Sequence, residues 1–356
     1  MGKIDKLLND LLGANGPSGC EDSAAKVFQT NAGLYTYKTY KDIHGNVHAD
    51  LKIPDANKPT ILLTAHMDEI GLMITEIDKE GFLKILGVGG WDSQILQGQR
   101  VIIKTDSKDV YGVIGKKPIH LMDDKDKDHA VKMKDLWIDI GAKNKKEAEK
   151  QVRLGDTAVI DVKPILLNND LIVSKSLDNR AGCYVILKAL EILSKKKLKC
   201  NVHVMGSVQE EIGLNGIVTG GYLTNPQVGF VVDVTFAMDH PNCSGDGRGG
   251  GDIKLGKGPS IARGPVLNPS LFSITESIAK RKRIPYQIEP CPSRTWTDTD
   301  GLQLVRGGVA CSLISIPLRY MHSPVEIVNM KDLDNTAKLI AESVVAVGEK
   351  PGFLKV

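Results

Sequence analysis

Four apolar runs constrain the fold more than any other feature of the chain: TILLTAHMDEIGLMI (60–74), NVHVMGSVQEE (201–211), VGFVVDV (228–234) and ACSLISIP (310–317). Each reads as a strand buried on both faces, because continuous apolar β stretches are what a parallel sheet requires. Helical patterns alternate with them. AGCYVILKALEILSKKK (181–197) ends in lysines that suit a helix C-terminus, and NGIVTGGYL (215–223), SLFSITESIAKRKR (270–283) and KDLDNTAKLIAESVVAVGEK (331–350) follow. This alternation predicts an α/β fold, a mostly parallel sheet with helices on both faces.

Upstream, an amphipathic helix at the N-terminus carries Leu7, Leu8, Leu11 and Leu12 on one face. A second helix in EDSAAKVFQTNAGLY (21–35) and one alternating strand from Thr36 to Ile53 are expected before the first apolar run. From about 70 to 163 the texture changes to short strand-like pieces cut by glycine, FLKILGVGG, QRVIIKT, VYGVIGKK and DTAVIDV, with one charged helical stretch, KNKKEAEKQV. They predict a small β-barrel inserted in the main fold, so the expected domains are 1–69 and 164–356 for the two parts of the main fold and 70–163 for the barrel. The charge run MDDKDKDHAVKMKD (122–135) reads as a solvated loop.

Composition removes several classes of function. With 46 Lys and Arg against 43 Asp and Glu, the chain is too nearly balanced to offer a nucleic-acid or anionic-membrane surface. No stretch approaches a bilayer span, the N-terminus lacks a signal-peptide pattern, and the six cysteines form no C-x-x-C, so a cytoplasmic protein with free thiols is expected. GDGRGG (245–250) matches G-x-G-x-x-G but runs into DIKLGKGP rather than a helix, which argues against a dinucleotide site.

Potential metal ligands stand instead at or just after the apolar strands: His66 and Asp68 in TAHMD, Asp178 in SKSLDNRAG, Glu210 and Glu211 in GSVQEEIG, Asp233 in FVVDV, and His322 in RYMHSPVE. Singly each has a plainer reading: a hydrogen-bonded core histidine, a solvated glutamate pair, an N-cap or a turn aspartate. Together they do not, because an unpaired carboxylate buried beside VGFVV would cost several kcal/mol unless a cation neutralised it. Two histidines and three carboxylates suit two divalent, zinc-like ions with one carboxylate shared. Two +2 ions offset by Asp178, Glu211 and Asp233 leave one positive charge, enough to acidify water and polarise a carbonyl. On an extended strand adjacent glutamates point to opposite sides, which would leave one of the pair free for proton transfer.

TAHMDEIG, SLDNRAG, QEEIGLNG, VVDV and RYMHSPVE stand in the order of the dinuclear metallo-aminopeptidases that assemble as tetrahedral dodecamers, a family labelled glutamyl or deblocking aminopeptidase and sometimes cellulase, and the chain resembles it from PSGCE (17–21) and DIHGNVHA (42–49) to the last helix. The resemblance implies that His66, Asp178 and Asp233 bind one metal, and Asp178, Glu211 and His322 the other, zinc or cobalt. It also implies that Glu210 is the general base and acid, that Asp68 orients His66, and that Asp178–Asn179 is a cis peptide. The family's inserted barrel corresponds to 70–163, and a homododecamer acting on peptides is expected. One departure is Asp300, which follows Thr299 where the family usually has a small residue.

The expected reaction is removal of N-terminal residues from peptides. A glycoside hydrolase built on a carboxylate pair is the first rival, weakened by three Trp and 5% aromatic residues with which to build sugar platforms. A non-catalytic assembly protein stapled by metal is the second, weakened because no cysteine falls in the constellation. Arg319 and KRKR (280–283) are candidates for favouring an acidic N-terminal residue.

Overall fold

A computed structural model describes residues 3–124, 129–243 and 251–350. The GDGRGG stretch and part of the 122–135 charge run lie outside the described residues. Numbered along the chain, the strands of the central sheet are β1 (Lys38–Lys41), β2 (Val47–Asp50), β3 (Thr60–His66), β12 (Asn201–Ser207), β13 (Val228–Phe236), β14 (Ser260–Arg263), β15 (Gln287–Pro290) and β16 (Ala310–Leu318). They lie in the order β1-β2-β12-β3-β13-β16-β14-β15. The middle of the sheet, β12-β3-β13-β16, is parallel, and so is β14-β15, while the β1-β2, β2-β12 and β16-β14 pairs are antiparallel.

Pleating sorts this sheet into two faces. Ile61, Leu63 and Ala65 of β3, with Phe230 and Val232 of β13, pack into a core completed by the helices α1 (Lys6–Gly13), α2 (Asp22–Ala32), α4 (Leu177–Ser194), α6 (Pro269–Lys282) and α8 (Met330–Glu349). Leu62, Val231 and Leu313 point the other way, against Ile217 of α5 (Asn215–Thr224) and Leu302 of α7 (Asp298–Leu302). Because side chains alternate with period two, His66 and Asp233 fall on the second face, at the C-terminal ends of their strands. That is where open α/β sheets place their ligands.

After β3 the chain enters a closed barrel of β4 (Gly71–Ile77), β5 (Leu83–Val88), β6 (Arg100–Lys104), β7 (Asp109–Gly115), β8 (Trp137–Asp139) and β9 (Thr157–Ile160), filled by residues such as Leu72, Ile85, Val101 and Ile138. The helix expected at 143–152 is short, α3 (Lys145–Ala148). A small antiparallel sheet, β10 (Ile165–Leu166), β11 (Leu171–Ser174) and β17 (Glu326–Asn329), then returns the chain to the main sheet. Among the described residues no helix is long and apolar enough to cross a membrane, and the six cysteines are unpaired.

Three expected strands are shorter than their apolar patterns. The run from Thr36 to Ile53 is a hairpin, since the Asp42 carboxylate accepts the N–H groups of His44, Gly45 and Asn46 and turns the chain. The run at 60–74 divides after His66, where Met67 N–H bonds Ser207 and Glu69 N–H bonds Gly16, so Gly71 opens a barrel strand. The run at 201–211 ends at Ser207, and Gln209 adopts φ 57° in the turn that carries Glu210 and Glu211.

Candidate metal centre

Five segments converge at the C-terminal edge of the sheet. His66 ends β3, Asp233 lies near the end of β13, Asp178 sits at the start of α4, and Glu211 and His322 come from the loops after β12 and β16. The carboxylate of Asp178 lies between the two imidazoles: Oδ1 is 3.1 Å from His66 Nε2, and Oδ2 is 3.4 Å from His322 Nε2. His66 Nε2 also lies 3.7 Å from Asp233 Oδ1, and His322 Nε2 lies 3.4 Å from Glu211 Oε2. Among the described residues, three donor sets have atoms within 4.8 Å of one another: His66 with Asp178 and Asp233, Asp178 with Glu211 and His322, and His66 with Glu210 and Glu211.

The backbone around Asp178 is built for this placement. Asp178 and Asn179 depart from helical angles within the first turn of α4, and the bond between them is cis. Asn179 ties the helix to the sheet, donating from Nδ2 to Val232 O at 2.8 Å and accepting the Gly182 N–H at 3.0 Å. Asp68 works similarly one loop away. It accepts the N–H of Glu210 on Oδ1 and of Glu211 on Oδ2, both at 3.1 Å, and the Ser18 hydroxyl at 2.7 Å. Its Oδ1 lies 3.4 Å from His66 Nδ1, so a proton on Nδ1 leaves the Nε2 lone pair facing Asp178 and Asp233.

Glu210 and Glu211 do not diverge as neighbours on a pleated strand would. The turn at Gln209 brings an oxygen of each into the cluster with His66. Pleat parity therefore does not separate their roles, and a close carboxylate pair is present. What sets this site apart from a bare acid pair is the imidazole on each side of Asp178.

Charge is heavily unbalanced here. Burial would lower His66 and His322, but the surrounding carboxylates hold His66 well above the ordinary histidine range and lift His322 to about 11. Burial raises Glu211 and Asp233. Glu210 is pushed up to about 10, first by burial and then by the charges of Asp233, Asp298 and Glu211. Asp178 is the exception: its two imidazoles outweigh burial and hold it well below the usual carboxylate range. A buried excess of oxygen donors beside imidazole nitrogens is the donor set that borderline divalent cations prefer. The residues present fit such ions.

Several participating residues carry no signal in the sequence. Glu326, on β17 opposite Ser174, accepts the Asp178 N–H at 3.1 Å and the His322 N–H at 2.9 Å, tying two candidate ligands to one carboxylate. Asp298, at the start of α7, accepts the Ser207 hydroxyl at 2.5 Å, and burial pushes it up to about 7. The barrel supplies a wall. A Cβ on Gly90 would come within 3.3 Å of His322 Nδ1, and one on Gly89, at φ 79°, within 2.6 Å of Ile70, so only glycine lets this loop approach so closely. Trp91 and Ile70 then line a cleft shared with Asp178, Glu211 and His322.

Beneath the cleft Glu69 is almost completely buried between Lys175 Nζ at 2.5 Å and Arg180 Nη2 at 3.7 Å, and it accepts the Gly16 N–H. Removing one partner of such a group strands the others' charge. Glu69→Ala is therefore expected to destabilise the fold by about 3–5 kcal/mol, read as a lower urea midpoint; a midpoint at the parent value would show that Lys175 and Arg180 find other partners.

The basic residues considered for selectivity are engaged elsewhere. Arg319 is held by Asp239 at 2.8–2.9 Å, Lys280 by Glu276 and Lys282 by Glu342. Asp300 accepts the N–H groups of Thr295 and Trp296 and so braces the turn before α7.

Comparison with known proteins gives consistent matches. The profile of the M42 glutamyl aminopeptidase family matches residues 45–339. A lysyl aminopeptidase of Pyrococcus furiosus is 37% identical over 297 residues, which is 83% of each chain. Among solved structures, aminopeptidase APDkam598 from the archaeon Desulfurococcus kamchatkensis superposes with a TM-score of 0.91 at 36% identity, covering 99% of this chain and 97% of that one. The TET1 peptidase of Pyrococcus horikoshii, which can assemble into a tetrahedron or a large octahedral shell, matches with a TM-score of 0.84 at 32% identity over 95% of this chain and 98% of its own.

Proposed function

Because the chain belongs to the M42 glutamyl aminopeptidase family of peptide hydrolases, we propose that it removes N-terminal residues from peptides using two divalent ions and Glu210 as proton carrier. The observation that carries this reading is the Asp178 carboxylate, one oxygen toward His66 and the other toward His322. His66 and Asp233 would complete one site, Glu211 and His322 the other. Bound there, zinc or cobalt ions supply Lewis-acid charge that acidifies water and polarises the scissile carbonyl.

The remaining steps belong to side chains. Glu210 takes a proton from the attacking water, whose oxygen bonds to the carbonyl carbon; the C–N bond then breaks, and Glu210 returns the proton to the leaving nitrogen. The crowding that raises Glu210 suits it to hold a proton, and cationic charge beside it draws its affinity back toward the working range. Asp68 keeps His66 in its ligating tautomer and fixes the backbone of Glu210 and Glu211. Free cysteines support a cytoplasmic location, and the tetrahedral assembly of the Pyrococcus horikoshii relative supports a homododecamer.

Metal-stripped protein titrated with zinc, cobalt and manganese against a panel of aminoacyl p-nitroanilides tests the reading. Turnover should be absent without metal and should rise to a plateau near two ions per chain. Turnover that survives complete chelation would overturn it.

A further inference from the structure

The backbone N–H groups of the turn that carries Glu210 and Glu211 are held by side chains. Four in succession donate to four different oxygens: Val208 to Asn46 Oδ1 at 3.1 Å, Gln209 to Glu21 Oε1 at 3.2 Å, and Glu210 and Glu211 to the two oxygens of Asp68 at 3.1 Å. The carbonyls of Val208, Gln209 and Glu210 accept from the backbone of 213–216 at the entry to α5.

Two sequence segments that the reaction just described leaves unused meet here. DIHGNVHA (42–49) supplies Asn46, whose Nδ2 donates to Asp42 at 2.8 Å and to Gly216 O at 3.0 Å. PSGCE (17–21) supplies Glu21, which is buried. Residues 16–21 are anchored along their length. The Gly16 N–H bonds Glu69, the Ser18 hydroxyl bonds Asp68, and Glu21 Oε1 also accepts the Gly19 N–H at 2.8 Å. One short loop thus supports both the aspartate that grips the glutamate pair and the bend just before it.

That bend is the part of the turn most in need of support. Gln209 takes φ 57°, a left-handed conformation that a residue other than glycine keeps only where its surroundings over-determine it. Glu21 takes the N–H of this residue, while Asn215 Nδ2 donates to its Oε1 at 3.2 Å. Glu210 follows the bend directly, so the bend sets the direction of its side chain. Glu211 has a further support in His322, 3.4 Å away.

We propose that Glu21 is a positioning residue, which by accepting the Gln209 N–H fixes the left-handed bend that aims the Glu210 carboxylate at the reacting water. This inference rests on the aminopeptidase reading above and adds a residue that controls its proton carrier.

The test uses the full-length, metal-loaded protein and the best-cleaved p-nitroanilide of the panel above. Glu21→Ala leaves the Gln209 N–H without its partner and is expected to lower kcat roughly 10- to 100-fold, the effect of a small misplacement of a reacting group. KM and the uptake of two ions should stay within about twofold of the parent, since neither substrate nor metal touches Glu21. Glu21→Gln keeps an acceptor oxygen at the same reach and should restore kcat to within about threefold of the parent. Combining Glu21→Ala with Glu210→Gln should give turnover no slower than Glu210→Gln alone, because aiming a carrier that is already absent has no further effect. Parental kcat in Glu21→Ala, equal losses in Glu21→Ala and Glu21→Gln, a fall in bound metal, or losses that multiply in the combined variant would each overturn the proposal. Should Glu21→Ala fail to fold, Glu21→Asp keeps the charge but withdraws the oxygens by one methylene, and it should show the same selective fall in kcat; parental kcat there would count equally against the proposal. If Glu210→Gln itself keeps near-parental turnover, the proton-carrier reading falls and takes the inference with it. If that variant is impaired while Glu21→Ala is not, only the inference falls.

Discussion

Glu210→Gln is expected to lose about 10²- to 10⁴-fold in kcat, the contribution typical of a positioned proton carrier, while still taking up two ions per chain. Glu210 is absent from both donor sets that contain Asp178. Its backbone N–H, not its side chain, is what Asp68 holds. The amide replacement preserves size and that backbone contact but cannot exchange a proton near neutral pH. Glu211→Gln supplies the contrast. Glu211 lies 3.4 Å from His322 and shares a donor set with Asp178, so metal uptake and turnover should fall together. Elemental analysis alongside steady-state kinetics separates the two outcomes. A Glu210→Gln enzyme with near-parental kcat would remove Glu210 from the proton path, and one that bound a single ion would make it a ligand instead.

This division between Glu210 and Glu211 shows where a sequence informs and where it does not. Polar groups at the ends of apolar strands are legible because burial makes them expensive. His66 after ILLTA and Asp233 after GFVV announce a site for that reason, and the alternation of strand and helix predicts the α/β sheet with its inserted barrel. Turn geometry is less visible. Nothing in GSVQEE signals that Gln209 takes positive φ and folds both glutamates into one cluster, because no glycine or asparagine marks the bend. Long-range register is invisible altogether. Glu326 reaches Asp178 and His322 only because β17 pairs with β11 so that Glu326 faces Ser174. Ser18 reaches Asp68 across 50 residues of chain.

Replacing Asp178 should have the widest effect of any single change, because one side chain serves both proposed sites. For Asp178→Asn, kcat is expected to fall by roughly 10³-fold or more, the loss of several kcal/mol of charge stabilisation in the transition state. Both ions should weaken together. An asparagine has one acceptor oxygen where the aspartate has two, and its NH₂ would face an imidazole nitrogen or the cation itself. His322→Ala differs, since it should weaken only the site it shares with Glu211. Stability offers an independent readout. The parent gains RT ln(1 + [L]/Kd) from each bound ion, so its Tm should climb with added zinc or cobalt. Without metal, Asp178→Asn removes one negative charge from the neighbourhood of Glu211, Asp233 and Glu326, all of which burial and mutual repulsion already raise. It also removes the counter-charge of His66 and His322, which hold Asp178 below the usual carboxylate range, so the metal-free variant should melt lower than the metal-free parent, while the rise on adding metal should largely vanish. Calorimetric titration in which Asp178→Asn keeps one ion at parental affinity would show that its carboxylate is not shared, and the paired arrangement of His66 and His322 around it would then need a different explanation.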